Sequence, residues 1–380
     1  MNYDIVCFLH LRWNFVYQRP QHLLSRFGKY QRVFIIEEPL FDAPFAYHQI
    51  DKDPDSGVNV ITPHIPAGLL PQEIVHAQKT LLDLLLSSEN IEQYILWYYS
   101  PMALTYSHHL LPKLIVYDCM DELSAFKFAP AELKQNEARL LKMADIVFTG
   151  GHHLYEAKRG LHHNIHPVPS SIDKQHFARA RKKIKDPQDQ ENIARPRIGF
   201  YGVIDERFNL ELLNDISDRK PGWHFIVLGP VVKIDPATLP RKENIHYLGG
   251  KDYKQLPDYL ANWDIAMMPF ALNESTKYIS PTKTPEFLAA GKQVISTSIR
   301  DVVIPYGKNK LVHIADTAEE FIAAAEAIQM NVNDIAWLER VDLFLKTISW
   351  DNTWQFMNAM IERTLERKKI INKKNTEVYV

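Results

Sequence analysis

Only two cysteines, Cys7 and Cys119, occur in 380 residues, and both sit in apolar, strand-like runs. That excludes a disulfide framework and fits a reducing compartment. Neither sign of charge is in excess: 44 Lys and Arg face 46 Asp and Glu, for a net charge of −2. No global basic field advertises nucleic acid. Apolar runs are short, and none approaches the roughly 18 residues that span a bilayer. The N-terminus has no basic-then-apolar signal region, because Asp4 and the run 5–9 read as a strand. These absences predict a cytoplasmic protein, with peripheral contact at the inner face of a membrane left open. Neither a GxGxxG turn nor a Walker sequence occurs, which weighs against dehydrogenase and NTPase chemistry. His152, His153, His162, His163 and His166 show no metal-ligand spacing with a supporting carboxylate.

What is present is an ordinary globular composition, 46% hydrophobic and 24% charged, in a chain long enough for two domains. Strands are predicted at 3–10, 32–37, 58–62, 94–97, 114–118 and 145–149, with a weaker one at 165–168. Helical patterns at 21–27, 72–86 and 130–143 lie between them. Such alternation predicts a parallel sheet covered on both faces. The composition then changes: 178–196 is almost all charged or polar, with Pro187 and Pro196 as breakers, and reads as a solvated linker. Its basic cluster, Arg179, Arg181, Lys182, Lys183 and Lys185, is also able to touch acidic lipid.

After it the rhythm restarts, with strands at 197–201, 224–228, 244–248, 264–269, 293–297 and 311–313. Helices are expected near 209–218, 253–261, 285–290 and 317–329, and a last amphipathic helix over 350–371. The predicted fold class is α/β with two Rossmann-like, doubly wound domains. Residues 1–178 form the first, completed by a C-terminal helix in 350–380, residues 179–196 the linker, and 197–349 the second. Ligands of such sheets bind beyond the carboxyl ends of strands.

Three regions carry candidate chemistry. In Thr282-Lys283-Thr284-Pro285-Glu286, a helix opening near Pro285 presents free N–H groups, which suit phosphate. A cation beside a carboxylate there suits a diphosphate and a ribose diol. The plain alternative is a Pro at its favoured first position and a Glu complementing the helix dipole. Strand ends bearing Gly202, Gly229 and Gly249 allow close backbone approach, and Arg207 reaches toward the same region. Each alone is only a tight turn.

The first strand runs into His10, Trp13, Gln18 and Arg19, where aromatics and forked donors suit a sugar or anionic acceptor. The alternative is a packed aromatic loop. Asp118, Asp121 and Glu122 follow another strand, and a partly buried carboxylate there is able to take a proton from a hydroxyl. Asp121 is favoured, because Asp118 still belongs to the strand end. The alternative has Asp121 capping a helix and Asp118 pairing with an arginine. Asp53-Pro54-Asp55 matches an Asp-x-Asp metal pattern but precedes a strand instead of following one.

Taken together, these elements resemble the GT-B glycosyltransferases, and the second half is similar to their family 4 and related bacterial members. Pro167-Val168-Pro169-Ser170-Ser171-Ile172-Asp173, followed by Phe177, looks like the segment before their linker. Thr282 to Gly291 matches the donor motif K-x-x-E-[FY]-x-A-x-G, and Phe15 to His22 resembles a subset that assembles cell-surface polysaccharide, teichuronic-acid-type enzymes included. The resemblance implies that Glu286 binds ribose hydroxyls, that Lys283 and Arg207 contact the diphosphate, and that Asp121 is the base of an inverting reaction. It also implies a nucleotide-sugar co-substrate, UDP foremost, with no other cofactor and no metal. The acceptor would be a saccharide or lipid-linked. One departure is plain: the Glu-x7-Glu signature needs an acid at 278, and this chain has Tyr278. A nucleotide-sugar 2-epimerase of the same fold and a non-catalytic nucleotide-binding scaffold are the competing expectations.

Overall fold

Strands buried on both faces must be almost wholly apolar, and those near the start of this chain are. The computed structural model describes residues 3–331 and 334–378, with side chains through 371. It divides into two compact units, one formed by residues up to 124, 129–168 and the segment from 350 onward. Its sheet contains β1 (Asp4–Phe8), β2 (Val33–Ile36), β3 (Tyr47–Lys52), β4 (Asn59–His64), β5 (Tyr94–Tyr98), β6 (Leu114–Cys119), β7 (Ile146–Thr149) and β8 (Ile165–Pro167). The order is β3-β4-β2-β1-β5-β6-β7-β8, and every pairing but β3 with β4 is parallel. The chain winds one way from β1 and the other way from β5. The carboxyl end of β1 is therefore a switch point, the place where such sheets open a crevice. The antiparallel edge strand β3 was not expected, because its sequence Tyr-His-Gln-Ile-Asp-Lys is mostly exposed and lacks an apolar run.

The helix Trp350–Val378 belongs to this first unit. Trp350, Met357, Ile361 and Leu365 form its apolar stripe and join the unit's core. The Trp350 ring stacks on His22 at 4.5 Å, and Tyr3 donates to Glu362 at 2.9 Å. No helix among the described residues is long and apolar enough to cross a membrane.

The second unit consists of residues 125–128 and 169–349. Its strands are β9 (Arg197–Tyr201), β10 (His224–Leu228), β11 (Ile245–Gly249), β12 (Ile265–Met268), β13 (Val294–Ser296) and β14 (His313–Ile314). All pair in parallel, in the order β11-β10-β9-β12-β13-β14. The order reverses between β9 and β12, so this sheet has its own switch point at the carboxyl end of β9.

The first change of unit along the continuous chain after the 125–128 excursion falls between Val168 and Pro169, ahead of the expected end at 178. Phe177 is fully buried in the second unit's core, which places the preceding residues there. The stretch 179–196 is likewise a strap on this unit instead of a solvated linker. Gln190 is 0% exposed, donates to Tyr259 O at 3.1 Å and accepts from Trp263 Nε1 at 2.8 Å. Asn262 donates to Ile184 O at 3.0 Å. Polar residues can be buried wherever each finds a partner, and composition does not show partners.

Candidate functional site

Tyr201 ends β9 and turns its hydroxyl onto the carboxylate of Glu286, in the helix Lys283–Ala289 that follows β12. Both side chains are buried. Burial pushes the Glu286 carboxyl up to about 7, against the Tyr201 hydrogen bond and the Lys283 charge, which pull it down. One residue beyond Tyr201, Gly202 has φ +146°, and a Cβ there would lie 2.3 Å from Lys283 Cε and 3.0 Å from Nζ. The ammonium stem thus lies directly on the backbone of Gly202. Lys283 and Glu286 therefore converge on the end of β9, beside the second unit's switch point. The helix begins at Lys283, two residues before the expected Pro285, with Thr282 at its N-cap position and no side-chain capping bond. Thr284 Oγ1 contacts Met268 Sδ at 3.4 Å, which ties the helix start to the end of β12.

The glycine turns have internal reasons. A Cβ on Gly229, at φ +143°, would lie 1.8 Å from Gly202 O, so the ends of β9 and β10 pack backbone on backbone. The amides of Gly202 and Gly229 donate to Leu228 O at 2.9 Å and Gly249 O at 2.8 Å. Their closeness serves the protein's own chain, where the sequence reading expected an approaching ligand. Gly249 has φ +72°, in the left-handed region, with open space around its Cβ position. Arg207 is no isolated cation. Nε and Nη2 straddle Asp205 at 2.9 and 2.6 Å, and the guanidinium lies 5.2 Å from the Phe126 ring centre.

In the first unit, His10 is half-buried just past β1, at that sheet's switch point. Trp13 corrects the expectation of a sugar-stacking ring. It is 4% exposed, part of the hydrophobic core, and donates through Nε1 to Asp53 at 2.9 Å. That bond, with those from Ser56, also explains Asp53 as a turn anchor. Arg19 is corrected too. It is 2% exposed, forks onto the fully buried Asp118 at 2.7 and 3.1 Å, and donates to Val168 O at 2.7 Å. Gln18 stands at the N-cap of the helix Arg19–Phe27, its amide bonded to Gln21 at 3.0 Å. Asp121 lies half-buried just past β6, and its carbonyl accepts from Cys119 Sγ at 3.6 Å. Glu122 beside it is partly buried, which pushes its pKa up, but Lys158 at 2.7 Å and Ser124 at 2.7 Å outweigh that and hold it below the ordinary value.

Sequence reasoning missed Tyr201. The available signal was an aromatic closing an apolar strand directly before Gly202, but its partner stands 85 positions away.

Two doubly wound sheets in one chain, with a buried Glu and a Lys gathered at the second switch point, define a GT-B glycosyltransferase fold. Residues 195–331 match the family model described as glycosyl transferases group 1. The chain is 27% identical over 301 residues to the glycosyltransferase TuaH of Bacillus subtilis (strain 168), a protein named for teichuronic acid biosynthesis; the match covers 73% of this chain and 74% of that one. Its fold is similar to sucrose-phosphate synthase from Thermosynechococcus elongatus, with TM-score 0.64, 14% identity and 96% and 100% of the two chains covered. It is similar as well to Anabaena Alr3699/HepE, solved in complex with UDP, with TM-score 0.63, 12% identity and 95% and 100% covered. The match to the group 1 model thus lies within the second half of the chain, and the whole chain's fold is similar to that of GT-B glycosyltransferases.

Proposed function

We propose that this protein transfers a sugar from a UDP-sugar to a saccharide or lipid-linked acceptor in the synthesis of a cell-surface polysaccharide. The observation that carries the reading is the convergence of Lys283 and Glu286 on Tyr201 and Gly202, at the carboxyl end of β9. A ribose diol has two donors for a buried carboxylate, and a diphosphate needs fixed positive charge beside it. UDP as the nucleotide draws support from the UDP complex of HepE, and polysaccharide synthesis from the name of TuaH.

In the reaction, the bond from the anomeric carbon to the diphosphate oxygen breaks, and its electron pair leaves with UDP. Lys283 stabilises that departing charge, with Arg207 beside it once its pairing with Asp205 is shared. The acceptor oxygen forms the new bond to carbon and gives its proton to Asp121, the proposed base. Neutralisation rests on side chains in this reading, so turnover persists in excess chelator.

The test is UDP binding by titration calorimetry together with turnover on a UDP-sugar panel. Lys283→Ala is expected to lose UDP affinity, and Asp121→Asn to lose turnover while keeping it. Unchanged UDP binding by Lys283→Ala rejects the donor assignment, and unchanged turnover by Asp121→Asn rejects the base.

A further inference from the structure

Arg181 belongs to the basic cluster of the strap, whose charge by itself suggests only solvent or an acidic surface. Its guanidinium is engaged elsewhere. Nε donates to Ala289 O at 2.7 Å and Nη2 to Leu288 O at 3.4 Å. Nη1 and Nη2 also hold the two carboxylate oxygens of Asp342, each at 2.9 Å. Leu288 and Ala289 close the helix Lys283–Ala289, where carbonyls outrun their intrahelical donors and a cation complements the dipole. Gly291, at φ +72°, follows that helix, and a Cβ on it would come within 3.3 Å of Arg181 Cγ.

This helix has seven residues, and those from Thr284 to Ala289 are all buried. So short and enclosed a piece moves as a body. Its last turn and its first are joined rigidly, about 9 Å apart at 1.5 Å per residue.

We infer that Arg181 is a positioning residue of the donor site. By pinning the last turn of the helix to Asp342 and the strap, it sets where Lys283 and Glu286 stand against Gly202 and Tyr201. The inference rests on the proposed assignment of Lys283 and Glu286 to the donor. It gives the strap a function beyond connection, since a displacement of residues near 181 is carried to the nucleotide's contacts.

The experiment is a double-mutant cycle read by titration calorimetry with UDP, each variant first shown to unfold cooperatively. Arg181→Ala is expected to weaken UDP binding about tenfold, the scale of a misplaced contact. Arg181→Lys should fall between it and the wild type, because an ammonium reaches a carbonyl or the carboxylate but cannot fork to both. Adding Arg181→Ala to Lys283→Ala should cost clearly less than its roughly tenfold effect on the wild type, because only the Glu286 contact is then left to misplace. Independent sites more than roughly 7–10 Å apart would instead multiply their losses. Wild-type affinity in Arg181→Ala, or multiplying losses, overturns the inference. If Arg181→Ala does not fold, Asp342→Asn, which loosens the guanidinium's anchor along with the 3.7 Å pairing to Lys174, takes its place under the same criteria, with Lys174→Ala as the control for the second effect. Undiminished affinity in Lys283→Ala overturns the donor assignment and this inference with it. A weakened Lys283→Ala beside a normal Arg181→Ala overturns the inference alone.

Discussion

Tyr201 donates its phenolic hydrogen to the carboxylate of Glu286, joining the end of β9 to the helix after β12. Burial makes this acid titrate near neutrality although the contact with Tyr201 pulls its pKa down, in a range that experiments reach easily.

Glu286 has its pKa raised from 4.5 to about 7, with burial as the main cause. The native state therefore holds a proton that the unfolded chain has already released between those values. Its stabilising contribution is full below the unfolded value near 4.5 and is lost as pH rises through about 7. Glu286→Gln removes the titration and leaves an oxygen for Tyr201. At about pH 8 the variant should exceed the wild type by on the order of 3 kcal/mol, and the two should converge near pH 4. Urea unfolding at the two pH values decides it; a constant difference would mean that Glu286 does not titrate there.

Gly229 and Gly249 both have positive φ, but only one is crowded. Gly229→Ala would bring a Cβ within 1.8 Å of Gly202 O, whereas the same atom on Gly249 meets nothing within 4 Å. Gly229→Ala should cost roughly 2–4 kcal/mol from overpacking and left-handed strain, and Gly249→Ala about 1 kcal/mol from strain alone. Chemical denaturation ranks them, and equal losses would remove the close packing of the β9 and β10 ends as the cause.

Arg19 and Asp118 are an ion pair with both partners buried, at 2% and 0% side-chain exposure. Asp118→Ala leaves a buried, unmatched guanidinium and should destabilise by roughly 3–5 kcal/mol. Replacing both, as Arg19→Met with Asp118→Leu, should recover most of that loss. Thermal and urea unfolding of the three variants are the measurement. A stable Asp118→Ala would show that water or another group satisfies Arg19.

Lys283 and Arg207 stand at different distances from the end of β9. The Lys283 stem rests on the backbone of Gly202, and Arg207 straddles Asp205. Lys283→Ala should weaken UDP about 30-fold and Arg207→Ala, whose guanidinium must first be shared with Asp205, by no more than about fivefold. Calorimetry in low salt compares them, and the reverse ranking would place the diphosphate at Arg207.

Both sheets were legible because their strands are short apolar runs set between helical patterns, as in Ile-Gly-Phe-Tyr of β9 and Tyr-Ile-Leu-Trp-Tyr of β5. The polar edge strand β3 was not, since pairing with β4 and not its own pattern defines it. Lys283 and Glu286 were legible as a motif, but Tyr201 was silent because strand-end aromatics usually do nothing but pack. Trp13 and Arg19 misled for one shared reason. Their residue types suit a sugar site, and only long-range partners, Asp53 and Asp118, show that they are used internally. The strap misled similarly, because a charged segment looks solvated until Arg181 and Gln190 are seen against their carbonyls.

The segment from Trp350 belongs to the unit that the chain begins, while residues 169–349 form the body of the other. During synthesis, the ribosome therefore delivers everything the later unit requires before the earlier one receives its closing piece. Until Trp350 emerges to cover His22, that nascent unit presents an open hydrophobic seam. Anyone dividing the gene should express 169–349 as a single insert and supply the tail to its opposite half in trans.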